Sequence, residues 1–189
     1  MLKQLLLITG MPGSGKTTVA KIIGEQGFPV VSMGDAVREE ADARGIGGNI
    51  LEMSRFMVEL RKELGEEAVA RLVDKKIEKV DSNFIVVDGA RSLREVEYFR
   101  SKKDYKVTIV GVLSPLRLRY SRLSGRNRPD DPKMLKELEE RDRVELSVGL
   151  GEVLALSDIY IINEEDLKEL RENVKKKILA PLTSRFRRT

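Results

Sequence analysis

Residues 10–17 read Gly-Met-Pro-Gly-Ser-Gly-Lys-Thr. The spacing is G-x-x-x-x-G-K-[ST], the pattern of a phosphate-binding loop. Just before it, Lys3-Gln4-Leu5-Leu6-Leu7-Ile8-Thr9 is an apolar run of strand length, and just after it Val19, Ala20, Ile22 and Ile23 recur with helical period. Strand, glycine-rich turn and helix in that order are the context the motif requires. Each residue type has a physical reason. The glycines let the backbone curl until several N–H groups point inward, a nest for phosphate oxygens. The N-terminus of the following helix adds its dipole. Lys16 can reach terminal phosphates, and the Thr17 hydroxyl suits Mg²⁺. The expected ATP-binding set is therefore Gly10, Met11, Pro12, Gly13, Ser14, Gly15, Lys16, Thr17 and Thr18. A glycine-rich turn that binds nothing is the alternative. The complete eight-residue pattern, in this context and close to the N-terminus, argues against it.

The 189 residues suit one α/β domain with a sizeable core. Charged residues are 35% of the chain, above the usual level of about 25%, while 41% hydrophobic content keeps it in the globular class. There is no Cys, His or Trp. Without Cys there are no disulfides or thiolate metal sites, which fits a reducing, cytoplasmic location. Without His there is no imidazole base and no His-ligated zinc. Dense Lys, Arg and Glu hint at a thermophilic source. The net charge of +4 suits an anionic substrate without demanding nucleic acid. Nothing resembles a signal peptide or a membrane span, so no membrane partner is expected.

Along the chain, Phe28-Pro29-Val30-Val31-Ser32 reads as a short strand, and Met33-Gly34-Asp35-Ala36-Val37-Arg38 opens a helix with Asp35 as cap or first-turn acid. Helical stretches follow at about 51–63 and 66–79. Asn83-Phe84-Ile85-Val86-Val87-Asp88-Gly89 is a buried-type strand that delivers an acid to its C-terminal end, the ligand end of an open α/β sheet. Ser92 and Glu95 form a capping box for the next helix. Tyr105 to Leu113 is a fourth strand, and Ser114-Pro115 starts an Arg-rich helix with Pro at its first position. Residues 125–132 read as a loop and 133–146 as a charged helix. Asp158 to Asn163 is the last strand. A closing helix over 164–179 carries Leu167, Leu170, Val174 and Ile178 on one stripe. The basic tail 184–189 reads as frayed. Five strands alternating with helices predict a three-layer α/β fold of the P-loop NTPase type. The parallel sheet is expected to be covered on both faces with right-handed crossovers, in one domain spanning 1–189.

Asp88 is the natural acidic partner of the loop, a Walker-B position that holds Mg²⁺ together with Thr17. A mere turn cap is its alternative role. The stretches 10–17, Ser32-Met33-Gly34-Asp35-Ala36-Val37-Arg38 and Asp88-Gly89-Ala90-Arg91 together resemble the nucleoside monophosphate kinase family, adenylate kinase above all. The whole chain is more similar to a group of archaeal P-loop proteins described as adenylate-kinase-related and dephospho-CoA-kinase-like. That likeness rests on 8–16, Val87-Asp88-Gly89-Ala90-Arg91-Ser92-Leu93 and Leu150-Gly151-Glu152-Val153. The resemblance implies that Arg38, with Asp35, holds the acceptor phosphate and that Arg91 lies over the phosphates between donor and acceptor. It implies an acceptor-binding helical flap at about 35–80. It also implies a short lid at about 122–135, whose flanking Arg122 and Arg141, with Arg126, close over ATP. Asn163 would lie near the adenine, as an analogous segment does in dephospho-CoA kinases. Met33 stands where that family has Thr, and the Asp-to-Arg spacing is one residue shorter, departures that bear on the acceptor.

Arg117, Arg119, Arg122, Arg126 and Arg128 fall within twelve positions. Arg119, Arg122 and Arg126 share a helix face while the helix lasts. Guanidinium forks suit the charge spread over a migrating phosphoryl group, so Lys16, Arg91, Arg126 and Arg141 are the expected catalytic residues. Closure of a lid would exclude water. A solvated basic face or an RNA-binding stripe is the alternative. The scarcity of aromatics and the Glu-rich neighbouring helix count against stacking on single strands. Asp142 either pairs with or orients Arg141 and Arg143, and Arg55 and Arg61 read as exposed face residues. The expected activity is transfer of the γ-phosphoryl of ATP, with Mg²⁺, to a small acceptor, first of all a nucleoside monophosphate. A nucleotide phosphate is already an oxyanion, so no protein base is needed; a hydroxyl acceptor such as dephospho-CoA would call on Asp35 or Asp88. An ATPase or switch acting on a protein or ribosomal partner, and a nucleic-acid module, are the rivals. No Asn-Lys-x-Asp guanine-reading motif is present, which favours ATP over GTP. A monomer or small homo-oligomer is expected.

Overall fold

A computed structural model describes residues 2–46, 50–126 and 134–182, with the backbone alone at 50–55. Five strands, β1 (Lys3–Thr9), β2 (Val30–Ser32), β3 (Phe84–Asp88), β4 (Tyr105–Leu113) and β5 (Ile159–Ile162), form one sheet in the order β2-β3-β1-β4-β5. Every pairing is parallel. This is the three-layer P-loop fold that the alternation of strands and helices predicts.

The apolar runs dictate the middle layer. A strand buried on both faces cannot alternate polar and apolar residues, because each face meets a packed helix layer. In β1, Leu5 and Leu7 join one core with Met33, Val37, Val73, Ile85, Val87 and Phe99. Leu6 and Ile8 join the other with Val19, Ile23, Val86, Val110 and Val174. The first core lies under α2 (Met33–Ala43), α3 (Ile50–Leu64), α4 (Ala68–Glu78), α5 (Leu93–Ser101) and α8 (Leu150–Ala155). The second lies under α1 (Lys16–Gly24) and α9 (Leu167–Val174). Two further helices, α6 (Leu116–Ser124) and α7 (Leu135–Ser147), follow β4 and flank the phosphate-binding loop.

Several local expectations shift by a residue or a turn. Ser32, not Asp35, caps α2: its hydroxyl accepts from the Asp35 N–H at 3.1 Å, which leaves Asp35 as the first-turn acid. Pro115 is the cap of α6 rather than its first residue. Asp166 caps α9, so that helix starts three residues later than the expected 164, and Leu167 at its first position stays 52% exposed. Leu170, Val174 and Ile178 are buried as expected, and the helix continues through a wider π turn at Lys175–Leu179. The helix α8 was not anticipated. Among the described residues, no helix is long and apolar enough to cross a membrane.

Candidate active site

The register of the sheet builds the site. Ile8 pairs with Asp88, and Ser32 pairs with Asp88 from the other side. The C-terminal ends of β1, β3 and β2 therefore present the loop 10–17, Asp88 and the start of α2 side by side. β1 is central, with β3 on one flank and β4 on the other, so the loop opens into the crevice where open α/β sheets bind ligands.

Two glycines of the loop are fixed by what surrounds them. Gly15 has φ +96°, and a Cβ there would stand 2.2 Å from Asn163 Nδ2. Gly13 has φ +76°, and its Cβ would stand 2.7 Å from the Arg119 carbonyl oxygen. The loop is thus clasped from outside. Asn163 Nδ2 donates to the Ser14 carbonyl at 2.8 Å. Arg119 donates to the Pro12 carbonyl at 2.9 Å. Both bonds hold carbonyls of the loop from outside and so fix its curl, which a phosphate nest needs.

Lys16 follows the loop at the first position of α1. The residue is half-buried and borders the cleft described below, and burial is still the largest influence on its proton affinity. Burial, then the neighbouring Arg91, push Lys16 down to about 8; Asp88 and Glu145 pull it back up, and Arg141 pushes it down again. The same five groups therefore share one electrostatic site. Thr17 donates its hydroxyl to Asp88 Oδ2 at 2.8 Å. Asp88 is 6% exposed, and its Oδ1 is buried without a partner. Burial raises the Asp88 carboxyl, with Lys16, the Thr17 bond and Arg91 opposing. A hydroxyl, a carboxylate and an orphaned carboxylate oxygen form a hard-oxygen set, which fits Mg²⁺ in chemistry and position.

Beside the loop, Gly13, Gly15, Lys16, Thr17, Arg122 and Arg126 line a cleft of about 270 Å³. Thr18 borders the same cleft. Arg122 is held in place: its NH1 donates to Ser114 Oγ at 3.0 Å and to the Asn163 carbonyl at 3.2 Å, and its NH2 donates to Asn163 Oδ1 at 3.2 Å. Asn163 braces both the loop and Arg122. Met11 and Gly10 complete the loop, where Met11 accepts from the Ser14 N–H at 3.0 Å.

On the other side of Lys16 lies Arg91. Its Nε faces Glu145 Oε2 at 3.0 Å, and its backbone N–H donates to Glu95 Oε2 at 2.8 Å. The other oxygen of Glu95 accepts from Arg61 NH2 at 2.9 Å. Arg61 is thus not an exposed face residue; it is 7% exposed, tied to the acid that caps α5. Asp35 and Arg38 pair with each other on the first turns of α2, both more than half exposed. Burial raises the Asp35 carboxyl, but its bond to Arg38 and the capping Ser32 prevail and hold it below its ordinary value.

The arginine cluster divides. Arg119 turns inward and is 5% exposed, its two terminal nitrogens gripping both oxygens of Asp142, with NH1 at 2.9 Å from Oδ1. Asp142, read as a partner of Arg141 and Arg143, is thus the partner of Arg119. Only Arg122 and Arg126 of the described cluster border the cleft; Arg128, the loop 127–133 and the side chain of Arg55 lie outside the described residues. Residues 35–80 form α2, α3 and α4, each of which buries side chains in the first core. Glu145 escaped the sequence reading, as did the arginine partners of Asp142 and Glu95, which are Arg119 and Arg61. A signal existed in α7: Leu138, Asp142 and Glu145 follow i, i+4, i+7, so two acids occupy the stripe that faces inward.

A P-loop beside an acid-terminated strand, in this sheet order, defines a P-loop kinase-like domain. A family model described as an AAA domain matches residues 9–139. A UPF0200 protein of the archaeon Pyrococcus furiosus is 46% identical over 178 residues, which cover 93% of this chain and 96% of that protein. The chain belongs to the UPF0200 family and carries an AAA domain. Among solved structures, TT1252 from Thermus thermophilus superposes with a TM-score of 0.73 at 18% identity, over 96% of this chain and 99% of that one. Shikimate kinase from Acinetobacter baumannii, in complex with shikimate, superposes with a TM-score of 0.57 at 19% identity, over 98% and 95%. At these identities the likeness is one of fold.

Proposed function

We propose that this protein is a kinase that transfers the γ-phosphoryl of ATP to a small phosphorylated acceptor, first of all a nucleoside monophosphate. The observation that carries the reading is the Thr17–Asp88 pair at the end of the P-loop, beside a Lys16 that feels the charges of both Arg91 and Arg141. Three cations within electrostatic reach of one another suit a group that spreads negative charge over its equatorial oxygens. The loop N–H groups bind the donor phosphates. Thr17 and Asp88 are the residues that would hold Mg²⁺, which when bound neutralises charge on the terminal phosphates. Arg122 and Arg126 border the donor side. Arg38 and Asp35 lie at the acceptor side, and Arg91 stands between the two. The stretch 122–135 acts as a lid that excludes water, and α3 with its neighbours in 35–80 receives the acceptor. An acceptor that is already an oxyanion needs no base, which matches a site without His.

The test is phosphoryl transfer from ATP and Mg²⁺ to a panel of AMP, CMP, UMP, GMP, dTMP and dephospho-CoA, read by mass spectrometry. One phosphorylated acceptor is expected. Slow ADP release with every acceptor untouched would replace the kinase with an ATPase that answers to a partner.

A further inference from the structure

The site contains an acid that the phosphoryl-transfer reading does not use. Glu145 lies on α7, and its side chain is 14% exposed. Its Oε2 lies 3.0 Å from Arg91 Nε, and its charge reaches Lys16. An anion beside a pocket meant for phosphates is unfavourable on its face, since like charges repel in a low-dielectric site. It needs a compensating role.

Arg91 suggests one. The residue follows β3 in a short connection before α5, where only its N–H is anchored, by Glu95. Without a further hold, a guanidinium on such a connection samples many rotamers, and fixing them costs free energy when the ligand arrives. Glu145 forms an ion pair with the Arg91 guanidinium, Oε2 to Nε at 3.0 Å. Among the described residues, its terminal nitrogens make one long contact, NH1 to Met57 Sδ at 3.9 Å. A planar fork held by its Nε keeps its outer edge in a fixed direction, available for phosphoryl oxygens. We infer that Glu145 is a positioning residue that holds Arg91 beside Lys16 before phosphate binds, and that α7 is the element that sets Arg91 and the P-loop in one frame.

The second half of that statement has its own observation. One turn before Glu145, Asp142 grips Arg119, and Arg119 donates to the Pro12 carbonyl. One helix therefore holds the donor loop through Asp142 and Arg119, and the Arg91 guanidinium through Glu145. Arg141, the neighbour of Asp142 on the same helix, is near enough for its charge to act on Lys16. The helix works as a rigid ruler between the loop and Arg91, and the chain that leads into it is the segment read as a lid.

The inference rests on the phosphoryl-transfer reading, and its test separates the two. The probes are ADP and ADP with aluminium fluoride, a mimic of the migrating phosphoryl, both with Mg²⁺, titrated calorimetrically into the full chain. Wild type is expected to bind the mimic more tightly than ADP. In Glu145→Ala that preference should fall by about tenfold or more, the scale of one charge-assisted hydrogen bond. ADP itself should bind as well or better, because a like charge has gone. Glu145→Gln keeps an acceptor for Nε and its shape, so it should retain most of the preference. Arg91→Met should lose as much as Glu145→Ala, and the double variant no more than either, since both remove one unit. Equal weakening of ADP and the mimic in Glu145→Ala, or losses that add in the double variant, overturns the inference alone. A wild-type protein with no preference for the mimic overturns phosphoryl transfer, and the inference with it.

Discussion

Lys16 offers a quantitative test of the donor site. Its ammonium is pushed down to about 8 by burial and by Arg91 before any ligand binds. Donor phosphates reverse that balance, because they surround the group with negative charge and hold it protonated. Binding above pH 8 must therefore take up a proton. With a pKa of about 8, Lys16 is roughly nine-tenths charged at pH 7 and one-tenth charged at pH 9, so ADP affinity should fall about tenfold, ~1.4 kcal/mol, across that range. The terminal phosphate of ADP changes little over the range, since its second ionisation lies near pH 6 and is already about nine-tenths complete at pH 7. The assay is isothermal titration at pH 7, 8 and 9 in buffers of different ionisation enthalpy, which reports proton uptake directly. Lys16→Met should bind ADP about ten- to a hundredfold more weakly at pH 7, the range of a charged hydrogen bond, with a flat profile. Stability of the free protein should move the opposite way. A lysine whose folded pKa is depressed costs stability while it is charged, so the fold should gain as pH rises above 8 toward the unfolded value. That gain ends near pH 10, where Tyr105, whose phenol burial and Asp74 push well upward, begins to oppose it. Wild-type ADP affinity that is flat or rising from pH 7 to 9, with no proton uptake, would refute the reasoning.

Three further outcomes follow from particular contacts. Asp88→Asn removes the charge around the orphaned Oδ1, so added Mg²⁺ should no longer improve ADP binding, while the thermal midpoint stays level or rises because a buried carboxylate has gone. Arg119→Met strands Asp142 inside the protein; breaking a buried pair costs about 3–5 kcal/mol, read as a lower urea midpoint, and Arg119→Met with Asp142→Leu should recover most of it. Gly15→Ala combines a left-handed backbone angle with a Cβ only 2.2 Å from Asn163 Nδ2, so it should abolish ADP binding in a chain whose circular dichroism stays helical.

Much of this architecture is local and was therefore legible. A strand buried on both faces must be a continuous apolar run, and Leu5–Ile8, Phe84–Val87 and Ile109–Leu113 are such runs within β1, β3 and β4. The capping box at Ser92 and Glu95 is a contact between residues three apart, and it forms as the spacing predicts. The loop motif placed Lys16 and Thr17, and the polarity of a parallel strand carried Asp88 to the same end of the sheet. Boundaries failed where one side chain outcompeted a pattern, as when Asp166 capped α9 and left Leu167 in solvent. Arg61 misled for a related reason: its helix position marks it as surface, and only the approach of Glu95 from α5 makes its burial tolerable.

By itself the sequence determined the α/β alternation, the phosphate nest and the acid at the end of β3, because each depends on residues within a few positions of one another. The tertiary structure alone decided which arginines serve the site. Arg119 and Arg122 lie three residues apart on one helix, yet Arg119 is consumed by Asp142, 23 residues away, and Arg122 by Asn163, 41 residues away. The brace on Ser14 comes from 149 residues away. A guanidinium is a long, always charged fork, and when buried it goes to whichever acceptor the packing brings within 3 Å. That choice is made through space, so spacing along the chain cannot encode it.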